Sequence, residues 1–445
     1  MIPSHPSYWL DPLGCAKNQV DAETMMAVLG AAGWTAAKGP GEADLIIVNS
    51  CGFIESAKRE SIAAVIGYRR DYPRSKILLA GCLARRYAGD LAESLTEADG
   101  FLASADPGAA AEAAAAALEG RRIVTSTAGA AFAGMAPGDR PLLSLPGSAY
   151  VKIAEGCDNH CSFCAIPLIR GPLRSRPPAA VYAECKRLLE RGVRELCLVG
   201  QDLASWGRDL GYAGGSGLAA LLEELASLEG SFWLRLLYLH PDSFPPSLLD
   251  LCQKDRRLLP YFDIPFQHAS ASLLRAMNRR GSAEAYLDLI GSIRSALPDS
   301  AIRSTFLTGF PGETEEDFHR LLDFQERAEL DWAGVFTYSR EEGTAAWSMK
   351  GRIAKKLALA RKREIEERQL PITERRMERF VGRETEVLVE EKVEGEEGLY
   401  LGRLPCQAPE VDGSAVISAD GTVAPGALLP GRIFARAGID LEVRV

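Results

Sequence analysis

The first 125 residues alternate between short apolar runs and longer stretches of helical periodicity. Apolar runs at 8–13, 45–48 and 76–80 each end in a turn of small residues, and helical patterns such as 21–32 and 55–69 follow these turns. Strands that alternate with helices in this way predict a parallel α/β sheet.

Two further stretches separate this region from the rest of the chain. Residues 108–120 are mostly alanine, and they predict an exposed helix. Residues 128–147 are rich in Ala, Gly and Pro without a clear period, and they predict a linker between domains.

The alternation resumes on a larger scale after the linker. Six candidate strands separated by helical patterns lie at 150–154, 195–199, 232–238, 261–264, 301–307 and 331–337. Six βα units are fewer than the eight of a complete barrel, so we expect an open or partial barrel. Polar residues follow several of these strands, which is where such barrels carry their chemistry.

The end of the chain changes character twice. Residues 352–370 predict a strongly basic helix that ends near Pro371. After Phe380, short alternating strands separated by Gly and Pro predict a small all-β barrel. The predicted fold class is therefore α/β with a small β-barrel, in this order: an N-terminal parallel α/β domain (1–127), a linker (128–147), a partial (β/α)6 barrel (148–350), a connecting basic helix (351–377) and an all-β barrel (378–445).

Composition narrows the function classes. The chain of 445 residues is 47% hydrophobic and 25% charged, which is typical of a folded globular protein. We find no run of 18 apolar residues and no secretory signal at the N-terminus, so we expect a cytoplasmic protein without a membrane span. The net charge of −9 disfavours binding of nucleic acids as the main role of the protein, because their phosphate backbones are negatively charged. In a reducing compartment, ten cysteines indicate metal ligands or catalysts rather than disulfides.

Three cysteines lie within eight residues after the first strand of the predicted barrel. Cys157, Cys161 and Cys164 have the spacing C-x3-C-x2-C. Structural zinc sites usually have four ligands, whereas three thiolates on a 4Fe–4S cluster leave one iron open for chemistry. The alternatives are a zinc knuckle or a chance group of buried thiols.

Three other cysteines share a structural setting although they are far apart in the sequence. Cys15, Cys51 and Cys82 each lie in the turn after a predicted strand. The carboxyl ends of parallel strands meet at one edge of a sheet, so these thiols could converge on a second cluster. From the residues alone, three isolated buried cysteines remain an equally good interpretation.

Longer segments around both groups resemble the radical S-adenosylmethionine methylthiotransferase family. The resemblance extends over nearly the whole chain, and it is carried by LGCAKNQVDAE (13–23), VNSCGFIESAKRESI (48–62), AGCLARRY (80–87), YVKIAEGCDNHCSFCAIPLIRGPLRSRP (150–177), DIPFQHAS (263–270), FLTGFPGETEEDF (306–318) and LGRLPCQAPEVDG (401–413). Residues 16–18 and 52–54 are similar to the branch that modifies a small-subunit ribosomal protein. Ala16 and Gln19 depart from the family pattern, which has proline and leucine there.

The resemblance implies two 4Fe–4S clusters and S-adenosylmethionine as cofactors. One cluster would be held by Cys157, Cys161 and Cys164, which would act in catalysis, and the other by Cys15, Cys51 and Cys82. It also implies that a deoxyadenosyl radical abstracts hydrogen from the β-carbon of an aspartate. Sulfur from the N-terminal cluster then attacks that carbon, and a second S-adenosylmethionine supplies the methyl group. The terminal barrel resembles a TRAM domain.

Five further residues are candidates for binding S-adenosylmethionine. Gly309, Gly312 and Glu313 follow the fifth barrel strand, although a plain loop would explain them as well. Gln201 could bond the ribose or carboxylate, or could be a satisfied amide at a strand end. Arg303 could pair with the cofactor carboxylate, with a structural salt bridge as its alternative.

Charge suggests which partner the enzyme would meet. Residues 379–445 hold seven Arg or Lys against twelve Asp or Glu. This acidic barrel would repel tRNA and attract a basic ribosomal protein of the small subunit, so we consider tRNA an unlikely partner. We also expect an electron donor of the flavodoxin or ferredoxin type. The alternatives are the same chemistry on a tRNA adenosine, or a non-enzymatic iron–sulfur or zinc protein.

Overall fold

The computed structural model describes residues 5–103, 107–125, 139–213 and 215–445. Contacts divide the chain into two compact units. The first unit is made of Met1–Leu143, Ala154–Arg187 and Ser339–Trp347, and the second of Ser144–Ile153, Leu188–Tyr338 and Ser348–Val445. Each unit is therefore assembled from three separate stretches of sequence.

The N-terminal region folds as a five-stranded parallel sheet in the order β2-β1-β3-β4-β5. Its elements are β1 (Ser7–Pro12), α1 (Ala16–Ala31), β2 (Thr35–Ala36), β3 (Leu45–Ser50), α2 (Glu55–Asp71), β4 (Lys76–Gly81), α3 (Cys82–Ser94), β5 (Gly100–Ala103) and α4 (Ala110–Leu118). Strand β3 is buried along its whole length, as expected of a parallel strand covered on both faces. The parallel α/β sheet predicted from the sequence is confirmed.

The alanine-rich helix is the first point on which the sequence interpretation was wrong. It was expected to be exposed, but five alanines of α4 are buried. Several of them pack in one apolar cluster with Leu45, Ile47 and Leu78 of the sheet. Alanine side chains are short, so the helix can lie close to the strands, and the helix surface is itself part of the core.

The central region forms a six-stranded sheet in the order β13-β12-β11-β10-β9-β6, with every neighbouring pair parallel. Its elements are β6 (Ser148–Lys152), β7 (Ala154–Glu155), α5 (Ile166–Arg170), β8 (Arg174–Ser175), α6 (Pro178–Glu190), β9 (Glu195–Val199), α7 (Ser216–Leu225), β10 (Trp233–Leu236), α8 (Ser247–Lys254), β11 (Leu258–Asp263), α9 (Ala271–Ala276), α10 (Ala283–Ala296), β12 (Ala301–Thr308), α11 (Glu315–Ala328) and β13 (Trp332–Thr337). Consecutive strands of the sheet are neighbours, which is the arrangement of a partial barrel. Short 3-10 helices also occur at Pro40–Glu42, Pro107–Ala109, Leu203–Ser205, Arg208–Leu210, Pro241–Ser243 and Ala345–Ser348.

The connecting helix α12 (Lys355–Glu378) corrects a second expectation, because it continues through Pro371. A proline inside a helix costs about 3 kcal/mol, since it removes one hydrogen bond and crowds the preceding turn. Side chains on both sides of it compensate. The Gln369 amide donates to the Leu330 carbonyl at 2.9 Å, and the Thr373 hydroxyl donates to the Asp331 carbonyl at 2.8 Å.

The C-terminal region is a closed five-stranded barrel in the order β14-β15-β16-β18-β17. Its strands are β14 (Glu384–Lys392), β15 (Leu399–Arg403), β16 (Ala415–Ser418), β17 (Leu428–Ala437) and β18 (Asp440–Arg444). The predicted small all-β barrel is confirmed. The sequence pattern predicted four of these strands, at 385–391, 398–402, 431–437 and 440–445. It did not predict β16, which has only four residues.

A buried ion-pair network joins the terminal barrel to the central sheet within the second unit. Glu195 at the start of β9 accepts from Arg235 Nε at 2.7 Å and is paired with Arg403 of β15. Arg403 Nε also donates to Glu390 Oε1 at 2.6 Å. Arg403 and Arg235 lower the pKa of the Glu195 carboxyl to about 2, against the opposing effect of its burial.

Most of the predicted linker, residues 128–138, lies outside the described residues. The part that is described is anchored, because Arg140 is buried and its Nε donates to Glu23 Oε2 at 2.7 Å. Arg140 is also paired with Glu184. Within the described ranges, none of the helices combines the length and the hydropathy that a membrane span requires.

Candidate functional site

Three strand-to-helix turns of the N-terminal sheet carry the first candidate group, which we call the turn cysteines (Cys15, Cys51 and Cys82). Cys15 directly precedes α1, Cys51 follows the last residue of β3, and Cys82 is the first residue of α3. In the strand order 2-1-3-4-5, the connections after β1 and β3 leave in opposite directions, and ligands bind in the crevice this creates. The turn cysteines therefore lie at the edge where this fold binds ligands.

Two glycines show that the three turns touch one another. A Cβ atom added to Gly14 would lie 3.3 Å from the Cβ of Cys51. One added to Gly52 would lie 2.8 Å from the backbone oxygen of Cys82 and equally close to Leu83. A side chain at position 52 would force the second and third turns apart.

The turn cysteines also influence one another electrostatically. Burial, together with the neighbouring Cys15 and Cys51, raises the pKa of Cys82 to about 12, although the positive charge of Arg170 opposes the rise. Burial raises the pKa of Cys51 too, and Cys15 adds to the effect. The pKa of Cys15, whose side chain is accessible to solvent, is lowered overall. The protein atoms around the thiol would raise its pKa, but the cations of Lys17 and Arg170 and the backbone N–H groups of α1 outweigh that effect.

Asn18 connects the turns through its amide group. Its Nδ2 donates to the Ser50 carbonyl at 2.9 Å and to the Leu13 carbonyl at 3.2 Å. Its Oδ1 accepts from the Cys82 thiol at 3.2 Å. One side chain thus contacts the residues around all three turns and fixes the orientation of Cys82.

The second candidate group, the loop cysteines (Cys157, Cys161 and Cys164), is held by backbone hydrogen bonds. The Cys157 N–H donates to the Gly171 carbonyl at 3.1 Å, and the Cys164 N–H donates to the Cys161 carbonyl at 3.0 Å. The Ala346 N–H donates to the Ser162 carbonyl at 2.8 Å. Strands β7 and β8 pair on either side and close the loop at its base.

Both groups of cysteines belong to the first compact unit, and α5 links them. This helix begins two residues after Cys164. Its residue Ile169 packs in a small apolar cluster with Cys82, Ala165 and Phe53. Its last residue, Arg170, donates from Nη2 to the sulfur of Cys82 at 3.2 Å. The protein segment after the loop cysteines is therefore in direct contact with a turn cysteine.

Residues 339–347 add a second connection within this unit. The Glu341 carboxylate is almost completely buried and pairs with Lys58 at 3.0 Å and with Arg86 at 2.6 Å. Arg86 also donates to the Gly52 carbonyl at 3.0 Å, next to Cys51. This clasp of Glu341, Lys58 and Arg86 holds the turn of Cys51 to a segment that comes almost 300 residues later in the sequence.

Among the described residues, no group of three His, Cys, Asp or Glu side chains is placed to bind a single metal ion. A 4Fe–4S cluster makes a different demand, because each thiolate binds a different iron and the sulfurs stand farther apart. Three thiols at turns in contact, with the positive charge of Arg170 opposing the effect of burial on each of them, match that demand.

The candidate S-adenosylmethionine residues lie in the second unit, and Gln201 has the most informative environment. Both polar atoms of its amide are buried without a hydrogen-bond partner among the described residues. A buried amide left unsatisfied costs free energy, which binding of a polar ligand would recover. Glu313 instead folds back on its own loop and accepts from the Gly309 N–H. The Gly312 N–H donates to the Gly351 carbonyl at 2.8 Å.

Arg303 is held by protein carboxylates. Its guanidinium lies 3.5 Å from Asp263 Oδ1 and 3.3 Å from Asp412 Oδ1, and Asp412 also accepts from the Tyr261 hydroxyl at 2.6 Å. Burial raises the pKa of Asp412 to about 6 in spite of this arginine. A structural salt bridge was the alternative interpretation of Arg303 from the sequence, and it is present. Binding of the cofactor by Arg303 stays a prediction.

Three family models match successive parts of the chain. They are "Uncharacterized protein family UPF0004" at residues 7–103, "Radical SAM superfamily" at 151–324 and "TRAM domain" at 381–445. The first contains the turn cysteines and the second contains the loop cysteines.

Solved structures agree on the fold. The radical S-adenosylmethionine methyltransferase TsrM from Kitasatospora setae is similar with a TM-score of 0.55 at 15% identity, over 77% of each chain. The cobalamin-dependent S-adenosylmethionine radical enzyme OxsB is similar with a TM-score of 0.52 at 12% identity, over 82% of this chain and 56% of that one. The fold and the matched models together define a radical S-adenosylmethionine enzyme, a class that uses an iron–sulfur cluster and S-adenosylmethionine.

Curated relatives define the enzyme more narrowly. The protein from Treponema denticola is 46% identical over 97% of this chain and 99% of its own, and that from Pelotomaculum thermopropionicum is 42% identical over 97% of each. Both are named "Ribosomal protein uS12 methylthiotransferase RimO". The chain belongs to this RimO family, and it is a radical S-adenosylmethionine methylthiotransferase.

Reasoning from the sequence missed three residues of the site. Asn18, Arg170 and Glu341 are polar side chains whose partners lie far away in the sequence. For Asn18 and Arg170, the position inside the motif segments 13–23 and 150–177 was a usable signal. Nothing in the sequence around Glu341 points to Lys58 or Arg86.

Proposed function

We propose that the chain transfers a methylthio group to the β-carbon of an aspartate in the small-subunit ribosomal protein uS12, with two 4Fe–4S clusters and S-adenosylmethionine. The observation that carries this proposal is that the turn cysteines and the loop cysteines belong to one compact unit and are linked through α5. The names of the relatives, which match this chain almost end to end, support uS12 as the substrate.

The side chains of the chain divide the work. When bound, a cluster on the loop cysteines would supply the electron that cleaves S-adenosylmethionine, and a cluster on the turn cysteines would supply the sulfur. Each group offers three thiolates, which leaves one iron of each cluster without a protein ligand. The backbone hydrogen bonds around Cys157 and Cys164 keep the loop cysteines fixed. Asn18 and Gly52 keep the turn cysteines close together.

Gln201 is the strongest candidate for contacting S-adenosylmethionine, because its buried amide has unused hydrogen-bonding capacity. Gly309, Gly312 and Glu313 would shape the loop against which the cofactor lies, with Glu313 holding the Gly309 N–H in place. Arg303 would contribute through its charge, although two carboxylates already share it.

The terminal barrel supports a basic protein as the substrate. Glu394, Glu396 and Glu397 are exposed in the turn between β14 and β15. This acidic hairpin would attract a protein rich in Lys and Arg, and it would repel the phosphates of tRNA. An electron donor of the flavodoxin or ferredoxin type completes the proposed system.

One experiment tests the substrate directly. Mass spectrometry compares the small-subunit ribosomal proteins and the tRNA of cells that lack this chain with those of the parent cells. We expect loss of a methylthio group from an aspartate of uS12, with tRNA unchanged. A methylthio group missing only from tRNA would refute the assignment.

Two cysteine variants test the division of labour. Cys157→Ala is expected to abolish cleavage of S-adenosylmethionine while retaining the iron bound by the turn cysteines. Cys51→Ala is expected to keep that cleavage and to lose sulfur insertion. If Cys51→Ala methylthiolated uS12 at the wild-type yield, sulfur delivery from the turn cysteines would be wrong.

A further inference from the structure

Arg170 makes an unusual set of contacts for an arginine outside the proposed cofactor ligands. It is the last residue of α5, and its side chain is 1% exposed. Nη2 lies 2.6 Å from Asn18 Oδ1, 3.1 Å from Asp21 Oδ2 and 3.2 Å from Cys82 Sγ. Nη1 donates to Glu155 Oε1 at 2.5 Å. The guanidinium therefore brings a buried positive charge to one of the turn cysteines.

The surrounding residues fix the direction of this charge. Glu155 and Asp21 hold the two ends of the guanidinium, so moving the group away from Cys82 would break two buried ion pairs. Asn18 is equally constrained, because its own Nδ2 is bonded to Ser50 and Leu13. Arginine stays protonated in proteins, so the charge persists at any working pH.

A cation and a hydrogen-bond donor at a ligand sulfur have a defined effect on an iron–sulfur cluster. Reduction adds negative charge to the cluster and its thiolates. Hydrogen bonds to the sulfurs, and buried positive charge near them, stabilise that added charge and raise the reduction potential. The same contact places positive charge beside the sulfur that would carry negative charge as an iron ligand.

We propose that Arg170 is a positioning residue for the cluster bound by the turn cysteines: its hydrogen bond to the sulfur of Cys82 raises the reduction potential of that cluster and helps to retain it. The proposal rests on the proposed binding of a cluster by Cys15, Cys51 and Cys82. Arg170 belongs to α5, which follows the loop cysteines in the chain. The environment of the turn cysteines therefore depends on the folding of the segment that carries the loop cysteines.

The test isolates one cluster in the full-length chain. The three loop cysteines are changed to alanine so that iron can bind only at the turn cysteines, and the protein is reconstituted anaerobically with iron and sulfide. Arg170→Met and Arg170→Lys are compared with Arg140→Met. Arg140 is the matched control, since it is equally buried and paired with two carboxylates, Glu23 and Glu184.

Potentiometric titration followed by electron paramagnetic resonance gives the midpoint potential, and iron analysis gives cluster retention. We expect Arg170→Met to lower the equilibrium constant for reduction about tenfold, which is about 59 mV for one electron. Arg170→Lys keeps the charge and should shift it less, while Arg140→Met should leave it unchanged. Loss of iron from Arg170→Met but not from Arg140→Met would support a role of Arg170 in retaining the cluster. In that case the midpoint potential would be measured on Arg170→Lys, which still carries a positive charge.

Two results would overturn the inference in different ways. If Arg170→Met and Arg140→Met changed the potential and the iron content equally, Arg170 would be only a structural ion pair. If the parent chain without loop cysteines bound no iron at all, the proposed cluster on the turn cysteines would fail, and the role of Arg170 would fail with it.

Discussion

Replacing Gly52 by alanine is the sharpest available test of the contact between the turns of Cys51 and Cys82. The new Cβ would lie 2.8 Å from three backbone atoms of Cys82 and Leu83, where ordinary van der Waals contact begins at 3.4 Å. Backbone atoms cannot rotate away as a side chain can, so the two turns must separate by about 0.6 Å. Overpacking of this kind typically costs about 1–3 kcal/mol.

The expected result is selective loss of one iron–sulfur cluster. Gly52→Ala should bind about half of the wild-type iron, keep reductive cleavage of S-adenosylmethionine, and lose methylthio transfer to uS12. Gly67→Ala is the matched control, because a Cβ there meets nothing within 4 Å and the residue lies within α2. Removing a glycine from a helix should stabilise it by about 0.5–1 kcal/mol.

Iron and sulfide analysis, the electron paramagnetic resonance spectrum of the reduced protein and thermal unfolding are measured on the same preparations. If Gly52→Ala retained full iron content and full transfer activity, the turns would not need to be in contact, and the convergence argument would be refuted. If both alanine variants lost iron equally, the loss would not come from the crowding at position 52.

Three further predictions follow from other parts of the molecule. The pKa of Glu195 is about 2 in the folded protein and 4.5 ordinarily, so its ion pairs contribute about 3 kcal/mol to the free energy of unfolding above pH 4.5, and this contribution is lost as the pH falls towards 2. The difference in the free energy of unfolding in urea between the wild type and Glu195→Gln should therefore shrink over that range. A constant difference would contradict the prediction. Gln201→Leu should weaken S-adenosylmethionine binding about tenfold by calorimetry, since an amide with two free bonding atoms is lost; equal affinity would remove Gln201 from the cofactor site. Changing Glu394, Glu396 and Glu397 to lysine should weaken the binding of uS12 at low salt, and should weaken it less at high salt. The same change at three exposed glutamates of α12 should leave the binding of uS12 unchanged. If the first variant bound uS12 normally at low salt, the acidic hairpin would have no role in attracting the substrate.

Local patterns were sufficient to predict most of the fold. The apolar run at 45–48, followed by a turn and a helical pattern, predicted a strand, and it forms the first four residues of the fully buried β3. The six barrel strands were likewise marked by apolar runs with helices between them. Patterns failed where the outcome depended on tertiary partners. The alanines of α4 are buried because the sheet lies beside them, and α12 continues past Pro371 because Gln369 and Thr373 find distant carbonyls.

The candidate site divides in the same way. The spacing of the loop cysteines is local and could be recognised directly, whereas the turn cysteines could be grouped only through the rule that parallel strands end at one edge. The side chains that tie the site together were out of reach. Arg170 acts across 88 residues on Cys82, and no local pattern records such a contact.

The discontinuous first unit has a consequence for how this enzyme can be dissected. A fragment that stops at Leu143 would lack Arg170 and Glu341, so it would expose Cys82 and leave Lys58 and Arg86 without their shared carboxylate. Chimaeras between relatives should therefore exchange residues 1–143 together with 154–187 and 339–347. During synthesis, this unit can acquire its complete set of contacts only after residues 339–347 have been translated.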